Sequence, residues 1–382
     1  MPNGALYRQA AEFQRQLAER DAALARLLVE RYGVAYRRLS GSFDSLALRV
    51  ARDIEQGRVF TIDRLRRLDR YVALMRQVDG EIDEFSRYAA RQIAKRQADE
   101  AREALRTASQ LRATAEQRGL VSRPEVEGYG AFPRGADEAR IGELFGRLTR
   151  EPLYHLFGVM ADGTPLYNYF RLGTATVPGL SADVVERIRG ALEQALIEGW
   201  NPRKAAAYFR DAMGVGLTRS LAIARTETLR AYREATRFDY ITYGVERWEW
   251  HAAMDIRTCC ACAALDGEIF DVYQEPDMHV NCLCTMVPVI GEPGPRERRV
   301  QWPEEGTFVG NGRDWFESLT DDQKREWMGG GNFNAWKAGA VTLQDFIGDR
   351  THPVFGHSYV QESLVGILGD DAAQYYVRNY GK

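Results

Sequence analysis

Proline is missing from Asn3 to Arg123, so nothing in that stretch forces a helix to end through a lost amide and a ring clash. Cysteine is missing everywhere except between Cys259 and Cys284, where all five in the chain lie. No run of about 18 apolar residues occurs, which excludes an apolar membrane-spanning helix. The opening, MPNGALYRQAAEFQRQLAER, carries no apolar core of a signal peptide. A secretory signal is therefore not expected, and a cytoplasm is the expected place of synthesis and assembly. Repeats and low-complexity tracts are also lacking. What remains is ordinary for a chain with real cores: 382 residues, 45% hydrophobic and 11% aromatic.

A strong excess of one charge is lacking too. The formal net charge is -3, too mild to argue for nucleic acid by itself. The distribution is uneven. Residues 1–120 carry 23 basic and 17 acidic side chains, a surplus that is almost all arginine, with Lys95 the only lysine. Arginine suits carboxylate and phosphate partners because its planar fork pairs with two oxygens at once. The plainer reading is a solvated helix surface laced with ion pairs, and it outweighs the first.

The proline-free region is rich in Ala, Leu, Arg, Glu and Gln, which lose little on entering a helix. Leu65, Leu68, Val72, Met75, Ile82, Phe85 and Ala89 form one helical stripe, and Leu17, Leu24, Leu28 and Tyr32, then Leu46, Val50 and Ile54, form an earlier one. LSGS at 39–42 and QGRVFT at 56–61 are expected breaks, with Ser42 and Thr61 as N-caps. Two to four long helices are predicted, with stripes that need each other or a partner for burial. Further along, helices are expected to open at Ser181, at Asn201–Pro202 and at Thr218, and to end at Gly199, Gly214 and Gly244. The period then changes. VERWEWHA alternates as a strand with a tryptophan face, and GEIFDV and TMVPVI are two further short strands. Thr320 with Gln323 fits a capping box, and NFNAWKAG and TLQDFIG are short helical pieces.

The cysteines sit among those strands, in CCACAALDGEIFDVYQEPDMHVNCLC. A disulfide framework fits poorly, because the count is odd and no secretion signal is expected. A cysteine nucleophile with His279 or His251 as its base would be compromised by four more thiols beside it. The order of a zinc nucleobase deaminase is absent: His279 follows the first cysteine pair and no acid stands two residues after it. Zinc fits best. Cys259 and Cys262 make C-x-x-C, and His279, Cys282 and Cys284 make H-x-x-C-x-C, with sixteen residues between Cys262 and His279. Four of these five residues would bind the ion. Cys259, Cys262, His279 and Cys282 are favoured, with Cys284 the alternative and Cys260 the spare. A full four-ligand set leaves no open position for water, so the site would be structural Zn²⁺ with no catalytic residues.

A second unusual stretch, ARTET at 224–228, puts Arg225 and Glu227 inside a helix. Arg225 could pair with Asp255 or cap loop carbonyls near the zinc turn. An exposed Arg and Glu on a solvated helix fits the spacing as well. The expected fold class is mainly α with a small α+β zinc-stapled domain: long N-terminal helices, then a central helical domain followed by a short antiparallel sheet. The expected divisions are a long-helix region at 1–120, a Gly- and Pro-rich linker at 121–150, the zinc-bearing domain at 151–290 and a short-helix region at 291–382.

The run from IARTET through YGVERWEW, DIRTCCAC, LDGEIF and PDMHVNCLC to VPVI resembles the phage head morphogenesis family, the Mu F-like minor capsid proteins. Arg225, Thr226, Glu227, Asp255, Arg257, Thr258, Cys259, Cys262, Leu265, Gly267, Pro276, His279, Cys282, Cys284 and Pro288 match that family's pattern. Leu283 stands where the family usually has arginine, and Cys260 is an extra cysteine. The DWFESLTDDQKREWMGGGNFNAWKAGAVTLQDFI segment is similar to the tail of longer members. The resemblance implies a structural virion protein of low copy number, at the head interior or portal vertex, assembled in the host cytoplasm. Its partners would be the portal protein or the major capsid protein. Packaged DNA, engaged through the Arg-rich helices, is the alternative. Neither a membrane nor a small-molecule substrate is expected. Arg225, Glu227, Asp255 and Arg257 would be structural polar residues.

Overall fold

The computed structural model describes residues 2–117, 156–175, 177–290, 296–352 and 355–378. The linker expected at 121–150 lies outside the described residues. The chain is mainly helical, with helices α1 (Pro2–Glu55), α2 (Ile62–Arg66), α3 (Asp69–Gln117), α4 (Leu166–Leu172), α5 (Leu180–Ile197) and α6 (Pro202–Thr242) preceding the first strand. It divides into two compact units. One gathers the described residues of 1–20, 98–154 and 229–382, and the other those of 21–97 and 155–228.

In the second of these units, LSGS does not break α1. Leu39, Phe43 and Leu46 bracket it and are almost fully buried, and Phe43 stacks on Phe209 with ring centroids 4.7 Å apart. Burial of these side chains, at ~1.5–3 kcal/mol each, outweighs the ~1 kcal/mol cost of glycine in a helix. Ser42 instead donates its hydroxyl to Gln77 Oε1 at 2.6 Å. Thr61 does cap α2, accepting from the Arg64 amide. The helix expected to end at Gly214 and restart at Thr218 is likewise continuous. Gly216 is there for space, since a Cβ would lie 2.6 Å from both Tyr32 Oη and Val184 Cγ2. Ser181 is a buried first-turn residue of α5, and Gly179 occupies the cap position. The apolar stripe of residues 24–50 is buried against this unit's own helices. Tyr32 meets Phe85 edge to face and donates its hydroxyl to the Met213 carbonyl, and Trp200 Nε1 donates to the Ala47 carbonyl.

The other unit is built on an antiparallel sheet of order β2-β1-β3, with β1 at Arg247–His251, β2 at Ile269–Asp271 and β3 at Thr285–Val289. All three strands fall where the sequence reading places them, β1 in the alternating VERWEWHA and β2 and β3 in GEIFDV and TMVPVI. Trp248 and Trp250 face an aromatic core, with Trp248 stacked on Phe270 at 4.6 Å. Glu249 and His251 point to the other side and are buried as well. Helix α7 (Cys260–Leu265) lies between β1 and β2.

The chain after residue 295 continues this core. It adds the β4–β5 hairpin (Glu297–Val300, Gly306–Val309), helices α8 (Gly312–Ser318), α9 (Asp321–Met328) and α10 (Gly330–Lys337), and the β6–β7 hairpin (Ile347–His352, Gly356–Gln361). Short helices α11 (Leu364–Leu368) and α12 (Asp370–Arg378) follow. Trp315, Trp327, Phe333 and Phe346 join Trp248, Trp250 and the cysteines in one hydrophobic cluster. Thr320 and Gln323 form the expected capping box. The sequence reading differs here: residues 297–300, taken with the linker-like GEPGPRERR, pair as a strand, TLQDFIG is one 3-10 turn leading into β6, and the region expected to hold short helices also carries two β-hairpins.

Candidate metal centre

The cysteine window folds into two turns that face each other. In the first, Asp255 organises the approach to α7. Its amide donates to Thr258 Oγ1 at 3.1 Å, its carbonyl accepts the Thr258 amide at 3.0 Å, and its carboxylate accepts the Arg257 amide at 2.9 Å and the Arg257 guanidinium at 2.6 Å. Cys259 is then the N-cap of α7, its Sγ accepting the Cys262 amide at 3.4 Å. In the second turn the Cys282 amide donates to the His279 carbonyl at 3.1 Å, with Asn281 in the left-handed region at φ 66. Asparagine tolerates that conformation better than most residues. The Cys284 amide donates to Cys282 Sγ at 3.4 Å. Cys259 and Cys282 thus each receive an amide N–H, which stabilises negative charge on sulfur.

The donor atoms converge. His279 Nε2 lies 3.3 Å from Cys259 Sγ and 3.1 Å from Cys262 Sγ, and Cys262 Sγ lies 3.7 Å from Cys282 Sγ. Two groups could hold a metal, Cys259–Cys262–His279 and Cys262–Cys282–Cys284, with Cys262 common to both. A zinc tetrahedron with Zn–S near 2.3 Å has sulfur–sulfur edges of about 3.8 Å, so the 3.7 Å spacing fits. His279 Nδ1 is 2.8 Å from the Val280 carbonyl. Donation to that oxygen fixes the proton on Nδ1 and leaves the Nε2 lone pair for an ion, the usual outer support of a histidine ligand. Cys260 belongs to neither group. It is buried in the hydrophobic cluster, and its amide donates to Gln361 Oε1 at 2.8 Å.

Without an ion the cluster is electrostatically divided. The hydrogen bond with Cys262 takes the Cys259 thiol down to about 5 against the effect of burial, with His279 contributing. Burial acts against ionising Cys282, yet its Cys262 and Cys284 neighbours and the His279 charge hold it well below the usual thiol range. Burial would lower His279, but the charges of Cys282 and Cys259 carry it up to about 11. Cys262 is pushed up by its hydrogen bond with Cys259, and Cys284 and Cys260 by burial. Two negative sulfurs and one imidazolium within a few ångströms are a charge pattern that a divalent cation would take over. A thiolate-rich donor set of this kind suits Zn²⁺ over hard cations.

The ARTET residues take other places. Arg225 Nε donates to Asp21 at 2.8 Å, and Asp255 is paired with Arg257, so the suggested Arg225–Asp255 pair does not form. Glu227 is fully buried in the helical unit. The arginine that caps the loop carbonyls is Arg233, which sequence reasoning missed. It is 4% exposed and donates to the carbonyls of Cys282 at 2.7 Å and Cys284 at 2.9 Å. A signal was present: Arg233 falls on the buried stripe of α6 marked by Leu229, Thr236 and Tyr240. A charge on such a stripe needs acceptors nearby. His251, weighed as a base, is fully enclosed, and neither ring nitrogen has a hydrogen-bond partner among the described residues. Burial, with the Arg298 charge, holds it neutral.

An uncharacterized protein of Haemophilus influenzae (strain ATCC 51907 / DSM 11121 / KW20 / Rd) is similar to this chain, 23% identical over 120 residues. The match covers 30% of this chain and 27% of that protein, so the chain spans about a quarter of the relative's length. No solved structure matches. Residues 186–287, which include both metal-site turns, match the family described as Phage Mu protein F like protein.

Proposed function

We propose that this chain is a structural head-morphogenesis protein of a tailed phage, a minor capsid component of low copy number that binds the portal or the inner head during assembly. The observation that carries the reading is the match over 186–287, which takes in all five clustered cysteines and His279. The chemistry supports it: two three-donor groups, Cys259–Cys262–His279 and Cys262–Cys282–Cys284, share Cys262, and four of these residues would hold Zn²⁺ as a closed structural site, with Cys259, Cys262, His279 and Cys282 the favoured set. The head protein would therefore be no enzyme, and its work would be done by surfaces.

The DNA-binding alternative draws less support. The N-terminal arginines are largely engaged with acidic side chains of the same chain: Arg20 with Glu100, Arg38 with Glu81, Arg58 with Asp53 and Arg102 with Asp99. Such pairs favour a solvated ion-paired surface over a phosphate-tracking one. Most of the apolar stripe residues that called for a partner are buried within the chain, while Leu27, Val29, Leu48, Ile54 and Val72 stay exposed on those helices and are open to a protein partner.

The test is to produce the phage heads with a tagged chain and purify them on a gradient. The chain is expected in the head fraction, far below the copy number of the major capsid protein. Its absence from heads made in its presence would end the reading. Retention of naked DNA at about 50 mM salt, lost steeply as salt rises, would favour the alternative.

A further inference from the structure

We infer that Gln14 and Arg233 are positioning residues that couple metal binding to the docking of the N-terminal segment of α1, making residues 2–20 a metal-gated strap. The inference rests on the reading of the cysteine cluster as a metal site. It adds a consequence of that site for a segment remote in sequence.

The geometry lies in three consecutive carbonyls. Arg233 takes those of Cys282 and Cys284, its Nη2 donating at 2.7 and 2.9 Å and its Nε to Cys284 again at 3.1 Å. Gln14 takes the one between: its Nε2 donates to the Leu283 carbonyl at 3.1 Å and to the His251 carbonyl at 3.1 Å. Both side chains are buried, Gln14 at 8% and Arg233 at 4% exposed. Among the described residues all of Arg233's side-chain hydrogen bonds run to this loop. The loop is thus used on two sides. Its sulfurs and the Cys284 amide serve the metal cluster, and its carbonyls serve the helices. An ion that fixes the sulfurs also fixes where the carbonyls point.

The rest of the strap's dock lies outside the loop. Tyr7 donates its hydroxyl to Glu249 Oε2 at 2.8 Å, and Leu6, Tyr7, Ala10 and Phe13 share a minor apolar cluster with Leu111 and Val287. Arg8 also pairs with Glu297, Gln9 accepts from the Thr114 hydroxyl at 2.7 Å, and Arg20 makes a two-pronged pair with Glu100. Gln14 alone of these side chains reaches the cysteine loop, so losing loop geometry is felt there first. Val287 lies on β3, directly after the loop, and moves with it. Coupling runs both ways: what the metal does for the strap, the strap does for metal affinity. A strap released by metal loss would present Tyr7, Phe13 and the Arg8 side chain, freed from Glu297, to a head partner.

The experiment uses the full chain loaded with Zn²⁺ and the same chain after chelation, followed by amide hydrogen exchange. Residues 5–18 are expected to exchange about tenfold faster without metal, while residues 24–50 change little. In parallel, Gln14→Ala should bind Zn²⁺ about fivefold more weakly than the native chain, in competition with a chromophoric chelator. Far-UV circular dichroism checks that this variant is folded. If the chain takes up neither Zn²⁺ nor Co²⁺, the metal reading itself fails and the coupling falls with it. If metal binds tightly but exchange at 5–18 ignores its removal and Gln14→Ala binds as the native chain does, the coupling is overturned and the metal site stands.

Discussion

Asp266 and Arg298 form a two-pronged ion pair sealed from solvent, with Nη1 to Oδ1 at 2.7 Å and Nη2 to Oδ2 at 2.6 Å, and side chains 0% and 1% exposed. Asp266 closes helix α7 and Arg298 lies on β4, so the pair ties the helix that carries Cys260 and Cys262 to the β4–β5 hairpin. The Asp266 carboxylate also accepts the Ala252 amide at 2.7 Å. Removing one partner leaves a buried charge uncompensated. Asp266→Ala is therefore expected to cost about 3–5 kcal/mol in urea unfolding. The double change Asp266→Ala with Arg298→Met should recover a good part of that, since no buried charge then remains. A loss under about 1 kcal/mol for the single change would mean that water reaches the guanidinium.

Asp239 gives a pH prediction with a definite sign. Its carboxylate pairs with Arg112 at 2.9 and 3.1 Å, and Arg112 lies 3.5 Å over the Tyr243 ring. Burial nevertheless outweighs the arginine and pushes Asp239 up to about 6. An unfolded aspartate titrates near 3.9. Between those values the folded chain holds the extra proton, so this group's contribution to stability falls as pH rises from about 4 to about 6 and stays low above that. The difference is of order 3 kcal/mol. Melting temperatures of the native chain and of Asp239→Asn should therefore diverge across that window, the native chain losing ground as pH rises. Convergence over the same window would mean that the ion pair with Arg112 wins over burial.

Much of this was legible in the sequence, and the parts that were not share a cause. The strand around Trp248 alternates, those around Ile269 and Met286 are short apolar runs between turns, and Thr61 and Thr320 cap helices because local hydrogen bonds decide caps. The cysteine spacing brings Cys259, Cys262 and His279 to one point and leaves Cys260 aside. Glycine misled where packing overrides propensity. Gly41 sits in a helix whose neighbours Leu39 and Phe43 are buried, and Gly214 in one whose neighbours Ala212 and Met213 are buried. The partners of Arg225 and Arg233 were illegible because helix spacing gives a residue's face and not what lies opposite it. Asp21 is 204 residues from Arg225. The β6–β7 hairpin escaped because its exposed strands lack apolar alternation.

Gly312, at the start of α8, is expected to tolerate no side chain. A Cβ there would lie 2.2 Å from the Ala263 carbonyl oxygen, which belongs to α7 and cannot swing away. Gly312→Ala must push α8 off α7 and strain the contact that also carries the buried Trp315. A cost of about 1–3 kcal/mol is expected in thermal or urea unfolding. Because α7 carries Cys262, metal release to a chelator should also quicken. A variant as stable as the native chain would show that α8 is not seated on α7 in solution.

The cysteines are separable by substitution, one at a time, with Co²⁺ as a visible stand-in for Zn²⁺. Cys262 is common to both candidate groups, so Cys262→Ser should abolish tight binding whichever four residues are the ligands. Cys260→Ser should leave the cobalt spectrum unchanged. It removes a buried sulfur from the hydrophobic cluster and so costs stability alone. The choice between Cys259 and Cys284 is the informative one. Cys259 accepts the Cys262 amide, as a bound thiolate does, and burial pushes the Cys284 thiol up. Cys259→Ser is accordingly expected to weaken binding by orders of magnitude, and Cys284→Ser by less than about tenfold, with the sulfur-to-cobalt band intensity retained. The reverse result would make Cys284 the ligand. Its amide, bonded to Cys282 Sγ, and its carbonyl, bonded to Arg233, would then stand one bond closer to the ion, and Arg233 would act on the metal through a ligand's own backbone.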